Sequence, residues 1–232
     1  MKTEIEYNNG FTAYSAELTG VYGRGKTEAE AIRKLIDDTY DYCNWSEEKL
    51  PKDMKIAVTN RYKTELDVSD ADGDILLESE KGVLTEKEYE KAKQLCIQSA
   101  FSVKVLYDSI PDVDIIDKNK YNVKTFYGLK PATPKEMFNH ITSVIIDYYA
   151  WIFKIDTEKE GIISAVCGIF DKLEERGDYL NNEIFVYENE QWNTKKLLRR
   201  IIWHNRIHAK AMYKLAKSYF GDKITNSFQF DI

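Results

Sequence analysis

The sequence predicts an α+β domain over residues 1–82, an antiparallel sheet with one helix, followed by an all-α four-helix bundle over residues 83–232. Three observations carry this prediction. Two alternating segments, KTEIEY and FTAYSAEL, meet at Asn9-Gly10, a strong hairpin signal. After residue 83 come four long segments of helical periodicity, three of which open on capping signals. A chain of 232 residues with 43% apolar side chains is long enough to bury one large core or two small ones.

Taken in order, the strand pair is followed by VYGRG and then a helix. Thr27 at the N-cap and Glu30 three residues on form a capping box for AEAIRKLIDDTYDY. Pro51 and its charged neighbours read as a loop, and KIAVTNRY, KTELDVS and DILLESE as three further strands. Asp70-Ala71-Asp72-Gly73-Asp74 has its glycine too early for a calcium loop, which needs it sixth, and reads as a hairpin turn.

Thr85 and Glu88 cap the first long helix, which runs through EYEKAKQLCIQSAFSVKVLYDSI until Pro111. A linker containing TFYG extends to about Leu129. Thr133, Pro134 and Glu136 then give a strong helix start, and that helix is expected to reach about Lys154. Thr157 and Glu160 form another capping box before GIISAVCGIFDKLEERGDYL. NNEIFVYENEQWN reads as a loop, and the last helix spans Thr194 to Phe220, where Gly221 stops it.

Charge is uneven. Residues 1–82 hold 11 Lys and Arg against 18 Asp and Glu, a balance of −7, so the remainder carries +1 of the chain's −6. Phosphate-backbone binding needs concentrated positive charge, so nucleic acid is not an expected partner. The one basic cluster, KKLLRR at 195–200, reads as a solvated helix face. There is no apolar run of the roughly 18 residues that a membrane helix needs, and MKTEIEYNNGF has no signal-peptide character. Cys43, Cys96 and Cys167 are far apart with no CxxC, which fits a reducing cytoplasm rather than a disulfide framework.

The chain has three histidines, His140, His204 and His208. His204 and His208 stand four apart, which stacks them on one helix face. Positions 197, 201, 204, 208, 211 and 215 advance by alternating steps of four and three, so both histidines fall on a predicted core seam. In the helix after Thr133, the inner face is predicted to be Met137, Ile141, Val144, Tyr148 and Ile152, with His140 at its edge. Three imidazoles plus water make an open zinc or nickel site, and the competing reading is a structural polar cluster. Asn205 follows His204, so the general base of an HExxH protease is absent. Tyr148 and Trp203 are candidate pocket residues, and Glu183 and Asp147 are the carboxylates considered as a base; no catalytic residue is assigned.

Two resemblances extend this reading. PKEMFNHI, QWNTKKLLRR and IIWHNRIHAKAMYKL resemble the DinB-like family, a four-helix bundle group that includes bacillithiol- and mycothiol-dependent transferases. The resemblance covers roughly 150 residues. It implies a divalent metal held by His140, His204 and His208 and a transferase or hydrolase acting on a small electrophile with a low-molecular-weight thiol, in a protein that often pairs as a homodimer. FTAYSAELTGVYGRGKTEAEAIRKL resembles a HicB-like antitoxin domain, through Tyr14, Ala16, Leu18, Gly20, Gly25, Thr27, Glu30 and Ala31. That likeness implies the alternative function, a non-enzymatic regulatory protein whose HicB-like domain contacts a protein partner.

Overall fold

The computed structural model describes residues 1–68, 75–125, 128–157 and 160–232. The expected turn at Asp70–Asp74 lies outside the described residues. The protein is mixed α+β. Its strands and helices are β1 (Lys2–Tyr7), β2 (Phe11–Ser15), β3 (Tyr22–Gly25), α1 (Glu28–Ser46), β4 (Ala57–Lys63), α2 (Glu86–Asp108), β5 (Lys124–Thr125), β6 (Gly128–Leu129), α3 (Pro134–Ser143), α4 (Ala150–Ile152), α5 (Ile162–Arg176), β7 (Phe185–Tyr187), β8 (Glu190–Trp192) and α6 (Thr194–Phe220). A π-helical segment, Val144–Tyr149, joins α3 to α4. The residues fall into two compact units, Met1–Ala92 with Tyr179–Trp203, and Lys93–Asp178 with His204–Ile232. The expected boundary at residue 82 follows a change of secondary structure, whereas the compact units divide within α2 and α6. Among the described residues no helix is long and apolar enough to cross a membrane.

The first unit is built on a four-stranded sheet of order β3-β2-β1-β4. β1 pairs antiparallel with β2 through the hairpin at Asn9 (φ 48) and Gly10 (φ 149), and parallel with β4. α1 covers the sheet, with Ala31 and Leu35 fully buried. Gly23 explains how closely helix and strand approach. A Cβ there would stand 2.1 Å from the Ala31 carbonyl oxygen and 2.2 Å from the Leu35 nitrogen. Thr27 caps α1 as expected, its hydroxyl accepting from the Glu30 N–H. The Glu30 carboxylate reaches back to the Lys26 N–H rather than to Thr27.

Two expected strands do not form. In KTELDVS and DILLESE the described residues after Lys63 are irregular, apart from a 3-10 turn at Glu78–Glu80. In DILLESE the cause is competition for backbone donors. Glu4, buried on β1, accepts from the Glu78 and Ser79 N–H groups at 2.8 and 2.9 Å and from the Tyr62 hydroxyl at 2.5 Å. Glu80 folds back to accept from the Leu77 N–H at 2.8 Å. These amides serve carboxylates, so they are not available to a ladder.

KKLLRR is a second correction, since Lys196, Arg199 and Arg200 are buried. Arg199 Nε donates to Glu80 Oε1 at 2.5 Å, and its guanidinium lies 4.7 Å from the centre of the Tyr14 ring. Lys196 donates to Glu190 at 2.7 Å and to the Gln191 carbonyl at 2.8 Å. Burial pushes the Lys196 ammonium down to about 8, against the pull of Glu190. Arg200 lies 5.0 Å from the Trp203 ring centre. The expected loop 181–193 is in part a hairpin, in which β7 and β8 pair around Glu188 and Asn189, both at positive φ.

The second unit is mostly helical. Thr133 and Glu136 complete their capping box, with Pro134 in the first turn of α3. The expected box at Thr157 and Glu160 does not start α5, which begins at Ile162 after an N-cap at Gly161 (φ 131) with no side-chain cap. The linker carries the short β5–β6 pair. Ile141, Ile145, Tyr149, Ala165, Ile169, Phe170, Met212 and Ala216 are fully buried in this unit. All three cysteines are free thiols, Cys43 and Cys96 buried.

Two predictions follow from the first unit. Gly23→Ala forces β3 and α1 apart and is expected to cost about 3 kcal/mol, as overpacking typically does; urea unfolding of the variant at the parent's midpoint would refute the close approach. Burial alone would raise the pKa of Glu4, but the hydrogen bonds from Ser79, Tyr62 and Glu78 outweigh it and hold the carboxyl below the ordinary range. A pKa lowered on folding stabilises above the unfolded value, and that contribution is lost as the pH falls from there through the folded pKa. From about pH 5 to about pH 2, the parent should therefore lose more stability than Glu4→Gln; parallel losses in both proteins would exclude Glu4 from the acid response.

Candidate metal centre

The three histidines lie together in the second unit, one on α3 and two on α6. One ring nitrogen from each lies within 4.8 Å of the other two. The ring centroids of His140 and His204 are 5.1 Å apart, those of His140 and His208 4.6 Å, and those of His204 and His208 4.5 Å. His204 Nε2 and His140 Nε2 are separated by 3.3 Å. That spacing suits a shared proton between neutral rings, one donating and one accepting. It also matches a metal: bonds of about 2.0–2.1 Å to nitrogen in a tetrahedron put ligand atoms about 3.3–3.4 Å apart. The donor set suits a divalent ion, which would draw the wider pairs in toward that spacing. Among the described residues this is the only cluster of metal-ligating side chains, and no carboxylate belongs to it.

The winding of the helix after Thr133 positions His140. The expected inner face was Met137, Ile141, Val144, Tyr148 and Ile152; Met137, Ile141 and Ile152 are buried as expected, but Ile145 and Tyr149 take the place of Val144 and Tyr148. Repeated steps of four drift by about 40° each on an α-helix, because a residue turns about 100°. The π segment absorbs the drift. There the Ala150 N–H donates to the Ile145 carbonyl, five residues back, and the Val144 N–H reaches both His140 and Ile141. Tyr149 is thereby brought inward, its ring edge-on to His204 at 6.1 Å. Tyr148, the candidate pocket residue, is half-buried beside Tyr149.

On α6 the expected seam holds through Leu197, Ile201 and His204, then moves one residue on. Ala209, Met212, Tyr213 and Ala216 are buried, while His208, Ala211 and Leu215 are only partly covered. His208 therefore leaves the core position assigned to it, and His140 is also half-buried. His204 stands at the inner end of the cluster, 5% exposed. The next residue secures this turn of helix: Asn205, fully buried, donates through its amide to Ser99 Oγ on α2 at 2.8 Å.

The other candidates lie elsewhere. Trp203 is buried in the first unit, edge-on to Tyr22 at 6.3 Å. Glu183 is exposed in that same unit, and Asp147 is exposed on the π segment. Sequence reasoning missed Ser99, Asn205 and Tyr149. Asn205 in the middle of an apolar helix was a usable signal, since a buried amide needs a partner.

Ser99→Ala leaves the Asn205 amide buried without its acceptor and is expected to cost about 1–3 kcal/mol. Asn205→Leu removes the need for that acceptor and should cost less; chemical denaturation showing the reverse order would rule out the bond as the anchor of this turn. Compared with protein-family models, with curated proteins and with solved structures, the chain has no match.

Proposed function

We propose that this protein binds a divalent metal, zinc or nickel, through His140, His204 and His208, and that its helical part is DinB-like. One observation carries the reading: the only three histidines of the chain bring ring nitrogens within 4.8 Å of one another from two helices. Each residue has a separable part. His204 supplies the inner ligand, while half-buried His140 and His208 leave solvent an approach from their side. Three protein ligands leave a fourth position for water or a substrate atom. A bound ion there supplies Lewis acidity, activating a water or holding a thiolate. The reaction class that suits this donor set is transfer or hydrolysis at a small electrophile, with a low-molecular-weight thiol as co-substrate.

A second reading starts from the make-up of the cluster, three imidazoles with no carboxylate among the described residues. In it the metal is structural, and the N-terminal unit is a HicB-like module that contacts a protein partner. The strand–glycine turn–strand–helix arrangement, with Gly20 (φ 91) between β2 and β3 and Gly25 closing β3 ahead of the Thr27 cap, supports the HicB-like part.

Elemental analysis of protein purified without a histidine tag or chelator tests the metal. Near-stoichiometric zinc or nickel is expected, and its loss in His204→Ala. Unchanged metal content in that variant, or no uptake by the parent after zinc and nickel are added, would sink the assignment.

A further inference from the structure

A groove lies on the second unit where the π segment passes into α4 and the turn beyond it. It is an open concavity of about 420 Å³ lined by Ile146, Asp147, Trp151, Lys154, Asp156 and Thr157, comparable in size to small-ligand sites. Trp151 is 68% exposed, whereas Trp45, Trp192 and Trp203 are 4%, 0% and 1% exposed. The winding that brings Tyr149 inward leaves the indole two residues later at the surface.

The far wall is fixed rather than loose. Lys154 ends the helix in the left-handed region (φ 54), its N–H donating to the Trp151 carbonyl while the Ile155 N–H donates to Ala150. This pair of bonds is a Schellman motif, and it holds Lys154 and Asp156 on either side of buried Ile155. Thr157 turns its methyl toward Gly168, and its hydroxyl is buried without a partner among the described residues.

The composition selects the ligand. Two carboxylates oppose an anion, and a lysine beside them opposes a simple cation. A neutral ring bearing several hydroxyls meets neither objection. It donates to Asp156, accepts from Lys154, and lays its C–H face against the indole. We propose that this groove binds a sugar ring, independently of the metal centre.

Fluorescence titration of the full chain tests this, because Trp151 is the one tryptophan at the surface. The probes are maltose, cellobiose, N,N′-diacetylchitobiose and, as a cationic control, argininamide. A saturable blue shift with at least one saccharide is expected, together with protection of Trp151 from acrylamide. Trp151→Ala should abolish binding measured by calorimetry, and Asp156→Asn should weaken it about tenfold, the loss of one charge-assisted hydrogen bond. Trp151 is exposed, so its truncation leaves the core intact, as far-UV circular dichroism should verify. No saturable response to any saccharide, a response to argininamide alone, or undiminished binding by Trp151→Ala would overturn the proposal.

Discussion

Glu80 is gripped by both of its polar ends. Its carboxylate takes the Arg199 guanidinium and the Leu77 N–H. Its carbonyl accepts from the side-chain amides of Asn182 and Asn193. Asn193 in turn caps α6 through the Lys196 N–H, and Asn182 accepts from the Lys195 N–H. One residue of a 3-10 turn thus sets where the first turns of α6 lie within the N-terminal unit. Stripping one partner from a buried ion pair costs about 3–5 kcal/mol, a large part of the roughly 5–15 kcal/mol that holds a domain together. This pair is 4% and 5% exposed, so its charges have no recourse to water.

Much of the local architecture was legible in the sequence. Asn9-Gly10 marked the hairpin, Thr133-Pro134 the start of α3, and Gly221 the end of α6, because each depends on a few neighbouring atoms. The histidine cluster was legible for a different reason. Spacing of four on one helix allows two imidazoles to meet, and only one other histidine was available to join them.

What was not legible depended on distant partners. DILLESE has strand composition, but its outcome rests on Glu4, more than fifty residues earlier in the chain. KKLLRR looks solvated until Glu80, Glu190 and the rings of Tyr14 and Trp203 are brought to it. The Glu188-Asn189 turn lacks the glycine that usually signals such a hairpin. The π segment is the subtlest case. VIIDYY is apolar enough to present either 144 and 148 or 145 and 149 inward, and the apolar pattern alone favoured the wrong pair.

The economy of histidine gives the molecule a built-in reporter. With all imidazole confined to one cluster, every histidine ring resonance in a magnetic resonance spectrum, and every imidazole modified by an acylating reagent, originates at the same few ångströms of structure. Proteins of this size ordinarily spread such signals over several unrelated environments, where they must be assigned one by one. Here the assignment is already made by composition.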